Sequence, residues 1–490
     1  MDHLKKVLLR NPASPLFWLL LGFIIKGLIP FIWLFHTKLP SEIAGLWGGT
    51  GGDTFSYLTP IDNLLAKGSY LPDFRMPGYG TAYLIFKLFF STATACNILI
   101  VLQYLMASAS VYFLALTTKN IFNSTRIFYF SFYIFLISNF PNFFDGYILS
   151  ESLCTSFLIF SVYFFTNYFT SKKILHLFLS SVFISWAIFI RPGFSLLLPV
   201  FALGLIFQKR SGIRSNIKYG LIFLVPFIIV DSAWTIRNYH HYKKIVPLTA
   251  ISNYPDVAST YLGPLFYFVQ GWGGAYSLRD KEPDISWFEY TYPGRIKPTH
   301  YDSLPDYIYT SKYNKDSLLH LKKLIIALQN PMIDRTNAAA YQRELMFKFN
   351  KYREALQEEK PFLYYVRTPL KLTAIFLYGA YTKKYLDRGQ TLGKFNILLR
   401  TFANTLYLTT LILGIIGMLF LLFKGYRHNI LFILIALIPL YTIVLHAIVL
   451  RIPDTRFFMP TWPFLIICEA YALSVLSDKL YGSSQKLHKP

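Results

Sequence analysis

Charge is scarce in this chain, and negative charge most of all. Of 490 residues, 25 are acidic against 48 basic, and charged residues of both signs make up only 15%. A soluble protein of this length carries about 25%. Apolar residues fill the deficit, at 54% of the chain, in runs near the roughly 20 residues that a helix needs to cross a hydrocarbon core of about 30 Å. A soluble multidomain protein is excluded. Cysteine is nearly absent: Cys96, Cys154 and Cys468 all lie in apolar runs, with no C-x-x-C spacing. No disulfide framework or cysteine metal site is implied, and the three read as small buried apolar residues. No internal repeat or low-complexity tract is visible, which argues against an inverted-repeat transporter. No Rossmann pattern appears, so a nucleotide-sugar site has no support.

What is present is a net charge of +23. The basic residues punctuate apolar runs and form no single stripe, so nucleic acid is not the implied partner. In a membrane protein such punctuation sets orientation and attracts anionic head groups. Spans are expected at Leu16–Phe35, Ala95–Leu116, Ile127–Phe140, Ser152–Phe169, Ile174–Ile190, Phe194–Phe207, Tyr219–Trp234, Phe402–Phe423, Ile430–Val449 and Phe457–Val475. The first resembles a signal peptide in its basic start, but it is long for an h-region and contains Lys26 and Pro30, so it reads as a retained span. Tyr79–Phe90 is short and holds Lys87. If it lies at the interface, one side receives KKVLLR, then Lys119 and Arg126, Lys172 and Lys173, Lys209, Arg210, Arg214 and Lys218, Lys424 and Arg427, and the KLHKP tail. That obeys the positive-inside rule in every short loop; if it spans, the rule fails.

The expected fold class is therefore an all-α polytopic membrane protein of about ten transmembrane helices. Both termini are cytoplasmic, and interfacial helices lie at the outer face. Three regions follow: residues 1–234 as an N-terminal membrane half with a first outer loop at 36–93, residues 235–401 as an outer segment, and residues 402–490 as C-terminal membrane helices. The outer segment is too long for a structureless loop. A helical stretch near Ser317–Tyr352 marks it as a small, mostly helical domain.

Charges near the membrane are costly, roughly 3 kcal/mol each at a helix centre, so their positions are informative. Asp53 follows glycines in GGTGGDTFSYL and opens an amphipathic stretch that includes Tyr57. It is either a helix cap or a carboxylate that flexible glycines present to a pocket. Arg75 precedes a Pro-Gly turn in FRMPGYG; it binds phosphate oxygens bidentately or anchors at the interface. Asp145 and Glu151 share FPNFFDGYILSES, as caps or as a second acidic group on the side of Asp53. Arg191, Arg237 with Asp231 and Asn238, and Arg451 and Arg456 around Asp454 recur at the outer boundary. The positive-inside rule disfavours arginines there, and a bound anionic lipid head group explains them together. Lys26 and Glu469 lie deeper. Lys26 reads as a phosphate or carboxylate partner or as half of a structural ion pair, and His446 as a packed histidine.

The ordered set GGDTFSYL, KGSYLPDFRMPGYG, YILSESL, FIRPGFSLLLP, AWTIRNYHHYKKIVPLT and RFFMPTWPFLIICEAYAL resembles the membrane-embedded C-type glycosyltransferases. The likeness is to the bacterial branch near protein O-mannosyltransferases and lipid A aminoarabinose transferases, and it spans about Leu16–Val269 and Phe402–Val475. The resemblance implies a catalytic acid at Asp53, a second at Asp145 or Glu151, and basic residues Arg75 and Arg191 near a lipid phosphate. It implies location in a bacterial cytoplasmic membrane with the site outside. Two departures stand out: Thr54 occupies a position where mannosyltransferases often carry a second acid, and the last span holds Glu469.

The expected reaction moves a sugar from a polyprenyl-phosphate donor to an acceptor hydroxyl of an envelope lipid, glycan or protein. A carboxylate takes the hydroxyl proton and arginines stabilise the leaving phosphate. Tyr57, Arg237, Arg456 and Lys26 join Arg75 and Arg191 as candidate substrate-binding residues. No cofactor is expected. A divalent metal, as in oligosaccharyltransferases, is the alternative, with few acidic residues to hold it. The competing function is a transporter or flippase of lipid-linked sugars, which is expected to have short loops and repeated halves.

Overall fold

A computed structural model describes residues 12, 14–36, 39–73, 75–208, 212–248, 261–274, 285–288, 304–330, 332–378 and 393–487. Among them the fold is all-helical, with one isolated parallel bridge between Gly49 and Tyr147. The helices are α1 Pro15–His36, α2 Thr54–Lys67, α3 Gly78–Lys87, α4 Thr92–Phe122, α5 Thr125–Ile137, α6 Glu151–Ser171, α7 Ile174–Ile190, α8 Leu197–Ile206 and α9 Ile213–Tyr242. Then come α10 Leu262–Gly271, α11 Lys315–Leu328, α12 Arg335–Glu359, α13 Thr368–Tyr378, α14 Gly393–His428, α15 Ile430–Ile443 and α16 Trp462–Leu487.

Seven of the ten apolar runs lie on one helix each; Ile127–Phe140 crosses the break after α5, and Phe194–Phe207 and Phe457–Val475 begin in short turns before α8 and α16. Among the described residues six helical segments are long and apolar enough to cross a membrane: Thr92–Phe122, Glu151–Ser171, Ile213–Tyr242, Ile397–Gly425, Ile430–Val449 and Thr455–Lys479. The bent pair Thr125–Ile137 and Phe140–Gly146 gives a seventh if it is one span. Pro15–Leu28, Ile174–Ile190 and Pro192–Ile206 are shorter apolar helices. Together these segments read as those of a multi-pass membrane protein. On α9, Leu221, Ile228 and Ile229 remain exposed, a costly face in water and an ordinary one in lipid. The Tyr79–Phe90 stretch forms α3, ten residues long and too short to span. Lys5, Lys6, Arg10, Lys209, Arg210 and Lys489 lie outside the described residues.

Local chemistry sets the helix ends. Ser91 and Ser124 accept N-cap hydrogen bonds from Thr94 and Ile127, the role short hydroxyl residues fill best. Lys172 caps α6 at φ 58°, so α7 turns straight back along it. The α6–α7 turn therefore carries Lys172 and Lys173, while Glu151 opens the opposite end of the 21-residue α6. At 1.5 Å per residue that separation is about 30 Å, one hydrocarbon thickness.

The chain divides into two compact units. Unit 1 comprises residues 1–254, 380–441 and 456–490; unit 2 comprises 255–379 and 442–455. Residues 442–455, which the sequence reading left with the C-terminal membrane helices, belong to the second unit. Within unit 2, Leu318, Leu321 and Ile325 of α11 and Leu345, Phe349, Tyr352 and Leu356 of α12 form one core with Phe268 and Trp272. Their three-and-four spacing places one stripe of each helix inward. Each fully buried large side chain contributes about 1.5–3 kcal/mol.

Candidate active site

The first loop is built by close backbone packing. Gly49 N–H donates to the Gly146 carbonyl at 2.9 Å, and Ile148 N–H donates to the Gly49 carbonyl at 3.0 Å. A Cβ on Gly48 would lie 2.1 Å from the Gly146 oxygen, so only glycine permits the approach. The glycine run thus serves contact with residues 146–149, and the expectation of a flexible presenting arm is replaced by a fixed one. Thr54 is buried and donates its hydroxyl to the Ile148 carbonyl at 2.8 Å. That contact accounts for threonine after the aspartate: a charged side chain here would be sealed against the backbone.

Asp53 stands at the N-cap of α2 but makes no side-chain cap hydrogen bond. Its carboxylate faces two arginines. Arg75 Nη2 donates to Oδ1 at 2.8 Å, and Arg456 Nη1 pairs with Oδ2 at 3.0 Å. Arg456 also reaches the second acid, with Nε 3.3 Å from Glu151 Oε1, and Arg191 Nη2 lies 2.7 Å from the same oxygen. These two contacts are ion pairs outside hydrogen-bond geometry, since Oε1 accepts no hydrogen bond. Arg191 Nε donates to Ser150 Oγ at 2.9 Å, and Tyr57 OH donates to the same oxygen at 3.0 Å. Phe457 lies beside the Arg191 and Arg456 guanidiniums at 5.4 and 5.8 Å, and the Tyr57 ring lies 5.5 Å from Arg75.

Five separate stretches thus bring together three arginines and two carboxylates, leaving one positive charge in excess. The cluster is graded in depth. Side-chain exposure is 1% for Glu151, 12% for Arg191, 23% for Arg456, 26% for Asp53 and 40% for Arg75. Asp53 is the carboxylate a ligand can reach, and Glu151 is the sealed one. Arg191 Nη1 is buried with no hydrogen-bond partner among the described residues. Burial, the largest influence, raises the affinity of Asp53 for its proton; Arg456, Arg75 and Arg191 outweigh it and hold the carboxyl below its ordinary 3.8. Tyr57 moves upward, chiefly through burial.

Three candidates, Lys26, Asp145 and Arg237, lie apart from this cluster. Lys26 Nζ donates to Asp145 Oδ2 at 2.8 Å, with side-chain exposures of 1% and 4%. Ser152 donates to the other oxygen at 2.6 Å. Both Asp145 oxygens are engaged in this buried pair, so of the two acids proposed for the second position only Glu151 joins Asp53. Gln103 fixes the turn by donating to the carbonyls of Asp145 and Tyr147. Arg237 donates to Asp73 Oδ2 at 2.8 Å and to the Tyr70 carbonyl at 2.7 Å. It sits among Tyr70, Trp234 and Tyr242, and Tyr242 OH also donates to Asp73. Arg237 thereby holds the loop that carries Arg75, and it is not part of the Asp53 cluster.

Sequence reasoning passed over Asp73, Ser150 and Phe457. An acid two residues before Arg75 was the available signal for Asp73; a serine or a phenylalanine in apolar text gives none. Among the described residues no three His, Cys, Asp or Glu side chains gather as metal ligands. No family model, curated protein or solved structure matches the chain.

Proposed function

We propose that the protein transfers a sugar from a polyprenyl-phosphate donor to an acceptor hydroxyl at the outer face of a bacterial cytoplasmic membrane. The observation that carries this reading is Arg456 between Asp53 and Glu151, with Arg75 and Arg191 on the flanks. A cationic, partly open pocket with one reachable carboxylate suits a reaction that releases a phosphate and consumes a hydroxyl proton.

In this scheme the acceptor oxygen attacks the anomeric carbon. The bond from that oxygen to the sugar forms as the bond from the sugar to the phosphate oxygen breaks. Asp53 takes the acceptor proton, and polyprenyl phosphate leaves with its charge met by the arginines. At rest Asp53 is a weak base, because Arg75 and Arg456 stabilise its charge. A donor phosphate competes for the same guanidiniums, which form charge-assisted bonds to phosphate as readily as to carboxylate. Donor binding therefore raises the proton affinity of Asp53 at the step that needs it. Tyr57, Arg191 and Glu151 set the pocket floor, while the Lys26–Asp145 and Arg237–Asp73 pairs hold its two loops.

This reading takes the bent pair and the three shorter apolar helices as spans beside the six long ones, ten in all. Lys172 and Lys173 sit one helix length from Glu151. By the positive-inside rule that places the pair in the cytoplasm and the cluster outside. The test is turnover of a panel of polyprenyl-phosphate sugars by the purified protein, with Asp53→Asn as control. Movement of intact donor across vesicles without sugar transfer would instead establish a flippase.

A further inference from the structure

Unit 2 holds a second cationic group that transfer chemistry leaves unused. Residues 361–378 form one helix, with a π-helical turn at Leu363–Arg367 before α13. Tyr364, Thr368 and Lys371 share a face of it and pack on the turn Gly271–Gly274. A Cβ on Gly271 would lie 2.8 Å from the Tyr364 ring, and one on Gly273 would lie 3.4 and 3.6 Å from the Lys371 and Thr368 side chains.

Arg451 completes the group. Its guanidinium lies 3.9 Å from the Tyr364 ring centre. Nη2 donates to the Tyr364 carbonyl at 2.8 Å and Nη1 to the Gly271 carbonyl at 3.3 Å. Lys371 Nζ donates to the Gly273 carbonyl at 3.1 Å. Arg451 is half-buried, and among the described residues it faces carbonyls and tyrosine rings with no carboxylate. Its backbone φ is +54°, a region where a long side chain is strained and glycine is not. Such strain persists where the surroundings enforce it and clusters at ligand sites. The Thr368 hydroxyl and the Trp272 indole nitrogen are buried with no hydrogen-bond partner among the described residues. On its other face the same helix exposes Phe362, Tyr365, Val366, Leu370 and Tyr378. Positions 362, 366 and 370 form a continuous stripe of the kind that beds a helix in a leaflet.

We propose that this helix of unit 2, with Arg451 packed on it, forms a head-group site for an anionic phospholipid. The Phe362–Leu370 stripe lies in the acyl boundary, and the phosphate is held by Arg451 with the Thr368 hydroxyl. The stripe sets the depth at which a phosphate meets the guanidinium. Among the described residues Arg451 meets carbonyls and a tyrosine ring, which leave its charge to be matched.

The test uses the full-length protein, stripped of lipid in a zwitterionic detergent and offered phosphatidylglycerol or phosphatidylcholine. Retained lipid is counted by native mass spectrometry. Wild type is expected to hold phosphatidylglycerol about tenfold more tightly than Arg451→Gly, the loss expected for a charge-assisted contact, and to show no such preference for phosphatidylcholine. Glycine suits the φ of position 451, so this variant should melt at or above the wild-type temperature. If it does not fold, Arg451→Lys and Thr368→Val decide, and each should weaken retention. Equal retention in wild type and variants overturns the site. Binding of inorganic phosphate that depends on Arg451, together with lipid retention unaffected by Leu370→Gln, overturns its assignment to lipid.

Discussion

Arg456 Nη1 lies 3.0 Å from Asp53 Oδ2, joining the segment before the last helix to the loop after the first. The same side chain touches Glu151, so one guanidinium bridges a reachable acid and a sealed acid. Displacing it changes the protonation of the first while the second still has Arg191.

Asp53→Asn keeps the size of the side chain and removes the base. Turnover of a polyprenyl-phosphate sugar should fall at least about 10²-fold, with donor binding at least as tight as wild type because the competing carboxylate is gone. The ion pairs of Asp53 are partly exposed, so thermal stability should change by no more than about 1 kcal/mol. The folded carboxyl binds its proton less tightly than the unfolded one. Its contribution is therefore present above pH 3.8 and fades as pH falls through the lower folded value. Asp53→Asn should flatten that part of the acid denaturation curve. Full turnover in this variant would move the base to Glu151.

Arg456→Lys keeps the charge and loses the planar fork that serves two acids. We expect kcat/KM to drop about tenfold, equivalent to about 1.4 kcal/mol. Arg75→Ala should raise the donor KM or lower kcat to a similar extent. Wild-type kinetics in both variants would remove the arginines from the pocket.

Lys26→Met leaves Asp145 charged and buried. The expected loss is about 3–5 kcal/mol, read as a lowered melting temperature in detergent. Adding Asp145→Asn should recover part of it. No loss in the single variant would show that the pair does not hold the second loop.

Arg237→Ala and Asp73→Asn should each loosen the loop that carries Arg75. Hydrogen exchange at residues 68–73 should rise, and turnover should fall without loss of the overall fold. Removing both should cost little more than removing one, because the residues act as a pair. Additive effects would separate them.

Sidedness is checked with impermeant thiol reagents on whole cells. Cys96, Cys154 and Cys468 are buried and give little background. A cysteine at exposed Trp47 should label from outside, and one at Lys173 should label only after permeabilisation. The reverse pattern would put the cluster in the cytoplasm.

The sequence by itself determined the helices, because apolar runs, serine caps and the low charge content act over a few residues. Seven of the ten apolar runs lie on one helix each, and the shortness of the Tyr79–Phe90 segment was legible in its text. The sequence also marked Asp53, Arg75, Glu151, Arg191 and Arg456 as costly charges. It could not say which of them meet. Tertiary structure decided that Asp145 pairs with Lys26 while Glu151 faces Arg191 and Arg456, although the two acids are six residues apart. The physical reason is direction: Asp145 sits in a turn that points at α1, whereas Glu151 opens α6 beside the end of α7. The glycine run likewise reads as freedom along the chain and becomes constraint once residues 146–149 lie against it.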